Sequence, residues 1–162
     1  MNLKYIVWAI VLAATATANA APVTTSLSAA QAEAVIAGCK AYASQHGRSH
    51  SIAVYDAGAN PVALLRMDGN TVGVTAFAME KAKAFAMWRF ATSGMEEAVK
   101  NTPGFADAPG VVTVAGGVPI YSEDGEHFLG AAAASGEPPL EDEACAEAGI
   151  QAAGLNFERS RD

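Results

Sequence analysis

The stretch VVTVAGGVPIYSEDGEHFLGAAAASG, residues 111–136, is the part of the sequence that most directly predicts a sheet. It contains three short apolar segments, at 111–115, 118–121 and 128–134, and each is predicted to be a strand because turn-forming residues bound it. Asp124-Gly125 is a strong two-residue turn signal between the second and the third. The stretch therefore predicts three consecutive antiparallel strands.

The segments on either side of this stretch predict helices and one further hairpin. Ser28 and Gln31 have the spacing of a capping box, which marks a helix start. The predicted elements are a helix from Ser28 to Gly47, strands at 51–55 and 61–66, a helix at 74–90, a short helix from Ser93, the three strands above and a last helix from Glu141 to Gly154. The order α-ββ-α-βββ-α predicts an α/β protein of the α+β kind, with one five-stranded antiparallel sheet flanked by helices.

The first twenty residues have the pattern of a cleaved signal peptide. Lys4 precedes an apolar run at 5–14, and Ala18-Asn19-Ala20 has the small residues of a cleavage site. The alternative is a membrane anchor, but a helix that spans a bilayer needs about 20 apolar residues. We therefore expect a signal at 1–20 and a single domain at 21–162, periplasmic or secreted, without membrane insertion after cleavage.

The charge and the cysteines limit the partners and the compartment. The formal net charge is -7, and loss of Lys4 makes it one unit more negative, so nucleic acid and anionic membranes are not expected partners. Cys39 and Cys145 are the only cysteines. In an oxidising compartment they are predicted to form a disulfide, and the alternative is a pair of buried free thiols.

The turn between the last two predicted strands is acidic. Glu123, Asp124, Glu126 and His127 lie close together in sequence, where a hairpin tip can point several of them in one direction. They lack the spacing of an established metal site. A solvated turn is the favoured interpretation, and weak metal capture is the alternative.

The strands near this turn are built from very small residues. Gly116, Gly117, Gly130 and the alanines at 131–134 leave a surface almost without side chains. Such strands are weak unless another backbone or a flat ligand approaches closely. Tight packing against the helix at 74–90, a planar ligand and an oligomer interface all remain possible explanations.

The helix at 74–90 is apolar around much of its circumference and carries cations. Its large apolar residues exceed what one small sheet covers, so we predict a homo-oligomer that buries this helix or the small-residue strands. Lys83 and Arg89 are candidate partners for the carboxylates of a ligand. They are six residues apart and point to different faces, so they are not expected to bind one carboxylate together.

Candidate iron ligands are few, and no catalytic constellation is recognisable. His50 and His127 are candidate donors to a haem iron, although exposed histidines without that role are more common. The sequence has no nucleophile elbow and no phosphate-binding loop, so the catalytic residues stay unknown and no nucleotide cofactor is indicated.

Four segments carry a resemblance to a known family. IAVYDAGANPVALLRMDG, EKAKAFAMWRFATS, PGVVTVAGGVPI and GAAAASGEPPLEDEACAEAGI are similar to the haem-binding, haem-degrading-type family of HbpS and GlcG proteins. The resemblance implies an antiparallel sheet of five strands, oligomers, and non-covalent binding of haem. It also assigns Thr92 as an iron ligand, although Ala91 stands where many members have proline.

The resemblance leaves two functional hypotheses. The first is an exported haem-binding protein, a carrier, sensor or scavenger of haem or a related tetrapyrrole. On this hypothesis Thr92 faces the iron, Lys83 or Arg89 binds a propionate, and Gly116 and Gly117 line a flat wall. The second is an enzyme or accessory protein that acts on a small molecule in a catabolic pathway, because family members without haem roles occur in catabolic operons.

Overall fold

The computed structural model describes residues 26–160, so the predicted signal peptide at 1–20 lies outside the described residues. Within that range the chain forms four α-helices, one 3-10 helix and four strands. In chain order these are α1 (Ala29–Gln45), β1 (Ser51–Asp56), β2 (Pro61–Arg66), α2 (Val72–Trp88), α3 (Thr92–Asn101), the 3-10 helix (Pro103–Asp107), β3 (Gly117–Tyr121), β4 (Phe128–Ser135) and α4 (Pro139–Ala152).

Local signals in the sequence account for the helix ends. The capping box predicted for α1 is confirmed, because the Ser28 side chain accepts a hydrogen bond from the Gln31 amide and the Gln31 side chain accepts from the Ser28 amide. Thr71 caps α2 by accepting from the amide of Val74. Arg89 ends α2 in the left-handed region, with a φ of 54°.

The sheet is antiparallel throughout, in the order β2-β1-β4-β3. The prediction of five strands is wrong, since residues 111–115 are not a strand. Both edges of β4 are taken, one by β1 and one by β3, and the outer edge of β3 makes an isolated bridge with Asn156. Within residues 26–160 no strand pairs with 111–115, so this segment stays irregular, with 111–114 partly exposed, as it leads into β3.

The helices cover the two faces of the sheet. Side chains alternate along β4, so Ala132 and Ala134 face α1 and α4 while Ala131 and Ala133 face α2. All four alanines are fully buried. A side chain at Gly130 would lie 2.1 Å from the backbone oxygen of Tyr55, so this position needs glycine. The small residues of β4 therefore allow helices to pack closely on both sides.

The predicted disulfide is present. Cys39 of α1 and Cys145 of α4 are bonded and fully buried. The two helices also approach closely at Gly149, where an added Cβ would lie 2.4 Å from the backbone oxygen of Val35. The first and last helices thus form one covalently joined layer.

Among the described residues no helix is both long enough and apolar enough to cross a membrane.

Candidate functional site

A buried ion pair joins α2 and α4. Lys81 is 1% exposed, and its Nζ lies 2.8 Å from Oδ2 of Asp142 and 3.3 Å from the backbone oxygen of Ala134. Lys81 belongs to the buried stripe of α2, while Asp142 lies in the first turn of α4. A negative charge in that turn is favoured by the helix dipole. The pair connects both helix layers through the end of β4.

His50 joins the same carboxylate. Its Nδ1 lies 3.1 Å from Oδ1 of Asp142, which also accepts a hydrogen bond from the amide of Glu137. The ring is fully buried, and Nε2 has no hydrogen-bond partner within residues 26–160. His50 is therefore held as a member of a buried network, and a ligand outside the protein has no direct path to its free nitrogen.

The predicted glycine positions lie against this ion pair. A Cβ at Gly116 would be 2.8 Å from Nζ of Lys81, and one at Gly117 would be 2.5 Å from the backbone oxygen of Lys81. Both glycines are buried. They permit the close approach of α2 to β3, so their local surroundings are filled by the protein's own atoms.

The packing therefore corrects the expectation of a flat wall that is open to a ligand. Residues 131–134 are covered on both faces of the sheet by helices, and the glycines are covered by α2. Of the explanations that the sequence left open, tight packing of helix on sheet is the one found. For the same reason the strands of small residues are not a surface for a second copy of the chain.

Thr92 begins α3 directly beside Gly117. Its side chain is fully buried, and Oγ1 accepts a hydrogen bond of 2.9 Å from the Gly117 amide. The next residue, Ser93, donates to Oε1 of Glu143 on α4 at 3.2 Å. These two contacts hold the first turn of α3 in place. Iron can reach the Thr92 hydroxyl only if this turn moves away from β3, so the role of iron ligand that the resemblance assigns to Thr92 depends on such a movement.

The two predicted cations of α2 have different surroundings. Lys83 is exposed and, within residues 26–160, forms no salt bridge. Arg89 lies over the ring of Phe128, 3.5 Å from its centroid, and donates to the backbone oxygen of Ala57. The structure thus leaves Lys83 available to a carboxylate and engages Arg89 with its own chain.

The acidic segment forms a turn between β3 and β4, as favoured from the sequence. The Asp124 carboxyl accepts hydrogen bonds from the Ser122 hydroxyl and from the Glu126 amide. These two bonds lower the pKa of the Asp124 carboxyl. Ligand atoms of Asp124, Glu126 and His127 lie within 4.8 Å of one another. His127 is partly exposed among these carboxylates, where the negative charge would repel an anionic ligand.

A group of large apolar side chains is exposed where α2 leads into α3. We call this group, Met87, Trp88, Phe90 and Phe105, the α2–α3 surface. Met87, Trp88 and Phe90 are 49%, 42% and 40% exposed. Trp88 is fixed by a hydrogen bond of 3.0 Å from Nε1 to the Pro109 oxygen and by an edge contact with Phe105.

Two glycines make room for these side chains. A Cβ at Gly110 would lie 3.1 Å from the sulfur of Met87, and one at Gly94 would lie 2.5 Å from the ring of Phe90. The space that these missing side chains leave is occupied by the thioether and the aromatic ring. The α2–α3 surface is therefore apolar, held in position and open to solvent. These properties suit the face of a tetrapyrrole, and Met87 adds a soft sulfur donor.

The buried network was not predicted from the sequence. A signal was present, because Lys81 shares the apolar stripe of Ala78, Ala82 and Phe85 at steps of three and four residues. A charged residue at such a position needs a buried partner.

Comparison with known proteins gives the family. A family model described as "Haem degrading protein HbpS-like" matches residues 27–151. The protein GlcG of Escherichia coli strain K12 is 39% identical over 95 residues, which cover 58% of this chain and 71% of GlcG.

Two solved structures have the same fold. The crystal structure of HbpS superposes with a TM-score of 0.72 at 27% identity and covers 84% of this chain and 97% of its own. The crystal structure of a PduOC complex with haem superposes with a TM-score of 0.73 at 19% identity, covering 83% of this chain and 99% of its own, and this likeness concerns the fold alone. The matched family model spans nearly all of the described helices and strands, and on this ground the chain belongs to the family of HbpS-like haem degrading proteins.

Proposed function

We propose that this chain is an exported protein that binds haem or a related tetrapyrrole without a covalent bond, as a carrier, sensor or scavenger. The observation that carries the proposal is the match of the HbpS-like family model to residues 27–151. The fold is one on which a haem complex has been crystallised, that of PduOC. The exposed apolar α2–α3 surface supports the proposal physically, since burying a porphyrin face there removes apolar area from water.

Haem titration tests this function. We expect ferric haem to give a saturable shift of its Soret band with the wild-type protein and no such shift with an unrelated acidic protein. The variants Thr92→Ala, His50→Ala and His127→Ala examine the donors named from the sequence. We expect all three to keep the shift, because Thr92 and His50 are closed to solvent and His127 lies among carboxylates.

The variants also separate the other outcomes. Loss of the haem spectrum in Thr92→Ala alone, in a protein that still folds, would mean that the first turn of α3 opens for the iron. The absence of any Soret shift in the wild type would reject haem binding. It would favour the alternative, an enzyme or accessory protein for a small molecule on the same fold.

Export is the second part of the proposal. The buried disulfide between Cys39 and Cys145 supports it, because disulfides persist in oxidising compartments and are rare in the cytosol. We expect the protein purified from its own host to begin at Ala21. An intact Met1 in the soluble fraction would contradict export.

Assembly into a homo-oligomer is the third part. Helices cover the small-residue strands, so the support for an oligomer comes from the apolar residues on the outside of α2. Val72 and Phe77 are two of these exposed residues. Light scattering at micromolar concentration should give a multiple of the chain mass, and a monomer would contradict the prediction.

A further inference from the structure

Three of the candidate iron donors are closed to solvent. Thr92 and His50 are fully buried, and so is Met95. His46 is exposed, but its Nδ1 lies 2.8 Å from the backbone oxygen of Tyr42 and its sequence neighbours Gln45 and Gly47 are exposed and not apolar. A haem at that position would gain little contact with apolar side chains.

Met87 differs from these donors in its surroundings. It is half-exposed, and its sulfur and methyl group pack on the backbone of Gly110, where a Cβ would lie 3.1 Å from each of them. Trp88 and Phe90 stand beside it as partly exposed aromatic rings. Thioether sulfur is an established ligand of haem iron. Met87 therefore combines a suitable donor atom with the apolar contacts that a porphyrin ring requires.

Lys83 supplies the charge that such a ligand needs. It lies four residues before Met87 on α2, so the two side chains share one face of the helix about one turn apart. Within the described range it has no carboxylate partner, unlike Lys81 and Lys100. A residue that binds a haem propionate should be an unpaired cation at the edge of the apolar surface. Lys83 is in that position.

We infer that Met87 donates its sulfur to the haem iron on the α2–α3 surface and that Lys83 binds a propionate of the same haem. This inference rests on the proposed function, since it specifies where the haem binds. The proposed site does not include the buried network of Lys81, Asp142 and His50. Met87 is half-exposed, in contrast to the fully buried Thr92.

The test combines optical titration with NMR of protein labelled at its methionine methyl groups. Ferrous haem is added to the wild type, to Met87→Leu, and to Met79→Leu as a matched control on the same helix. The methyl resonance of Met87 is assigned by its absence from Met87→Leu. We expect it to move far more than those of Met67, Met79 and Met95, because a ligated methyl lies over the ring.

The expected affinities follow the same reasoning. Met87→Leu keeps the size and apolar character of the side chain but removes the sulfur, and we expect the Kd for haem to rise about tenfold or more. Lys83→Gln should raise the Kd more at low ionic strength than at high, because the contact is electrostatic. Lys100→Gln, which changes a cation already paired with Glu97, is the control for net charge.

Each outcome decides between the two proposals. A Soret shift with a displaced Met87 methyl supports both. A Soret shift with an unmoved Met87 methyl, and an unchanged Kd in Met87→Leu, overturns the donor assignment and leaves haem binding intact. No Soret shift in the wild type overturns both.

Discussion

Removing the carboxylate from the buried pair should destabilise the protein more than removing the ammonium. In Asp142→Asn, Lys81 keeps the Ala134 oxygen at 3.3 Å and the Phe77 ring at 4.9 Å but loses its anionic partner. A buried charge left without its partner costs about 3 to 5 kcal/mol of unfolding free energy. In Lys81→Met, the Asp142 carboxylate keeps His50 and the Glu137 amide, and it still lies in the first turn of α4. A partly buried charge gains up to about 2 kcal/mol from a helix dipole, so this variant should lose less.

Urea unfolding of the oxidised proteins at neutral pH measures these differences. The double variant Lys81→Met/Asp142→Asn should be more stable than the sum of the two single losses predicts, by about 1 to 3 kcal/mol, because no unpaired charge remains. Glu97→Gln, which breaks an exposed ion pair with Lys100, is the control and should leave the midpoint unchanged. A loss below about 1 kcal/mol in Asp142→Asn, or strictly additive losses in the double variant, would refute the argument.

Three further predictions concern stability and are measured by the same urea unfolding. Replacing both Cys39 and Cys145 by Ala should cost about 4 kcal/mol in the chain-entropy model, since the bond closes a loop with a sequence separation of 106; an unchanged midpoint would show that the bond contributes nothing. Gly149→Ala should destabilise strongly, because its Cβ meets the backbone of α1 at 2.4 Å, whereas Gly104→Ala, with open space around it, should not. Burial and the negative charge of two neighbouring glutamates raise the pKa of the Glu147 carboxyl above 4.5, so its contribution to the unfolding free energy falls as the pH rises through that value. Glu147→Gln should therefore raise the urea midpoint at pH 7 but not at pH 4. Equal midpoints of the variant and the wild type at pH 7 would contradict this.

Elements with local signals were predicted well from the sequence. The capping box from Ser28 to Gln31 spans four residues and works within one helix turn, so no distant part of the chain decides it. The turn at Asp124-Gly125 forms between β3 and β4 for the same reason. Helix and hairpin ends of this kind depend on neighbours in sequence.

The prediction of a fifth strand at 111–115 was wrong because a strand forms only beside a partner strand with a free edge. Residues 111–115 have the apolar, β-branched composition of a strand, but β4 already pairs on both edges and the segment must instead reach β3 across the end of α2. Gly116 then takes a φ of 131°, which sets the direction in which β3 begins. Composition alone contains no information on which edges of the sheet are free.

The candidate site was predicted only in part. Lys83 is exposed as a ligand cation should be. The short helix predicted from Ser93 begins one residue earlier, at Thr92, and the burial of Thr92 was not foreseen. Burial there results from the contact with Gly117, a residue 25 positions away. Met87 was one of four methionines that could serve as soft ligands but are more often core residues, and helical spacing cannot tell which apolar face of a helix remains uncovered.

The disulfide has a consequence for how the chain is made. Its cysteines are separated by 106 residues, so a chain that is synthesised from its N-terminus presents Cys39 long before Cys145 exists. At 5 to 20 residues per second this interval is roughly 5 to 20 s. With no other cysteine in the sequence, no wrong bond can form within one molecule during that time. The hazard is instead a bond between two nascent chains, and it ends when α4 is released and packs on α1.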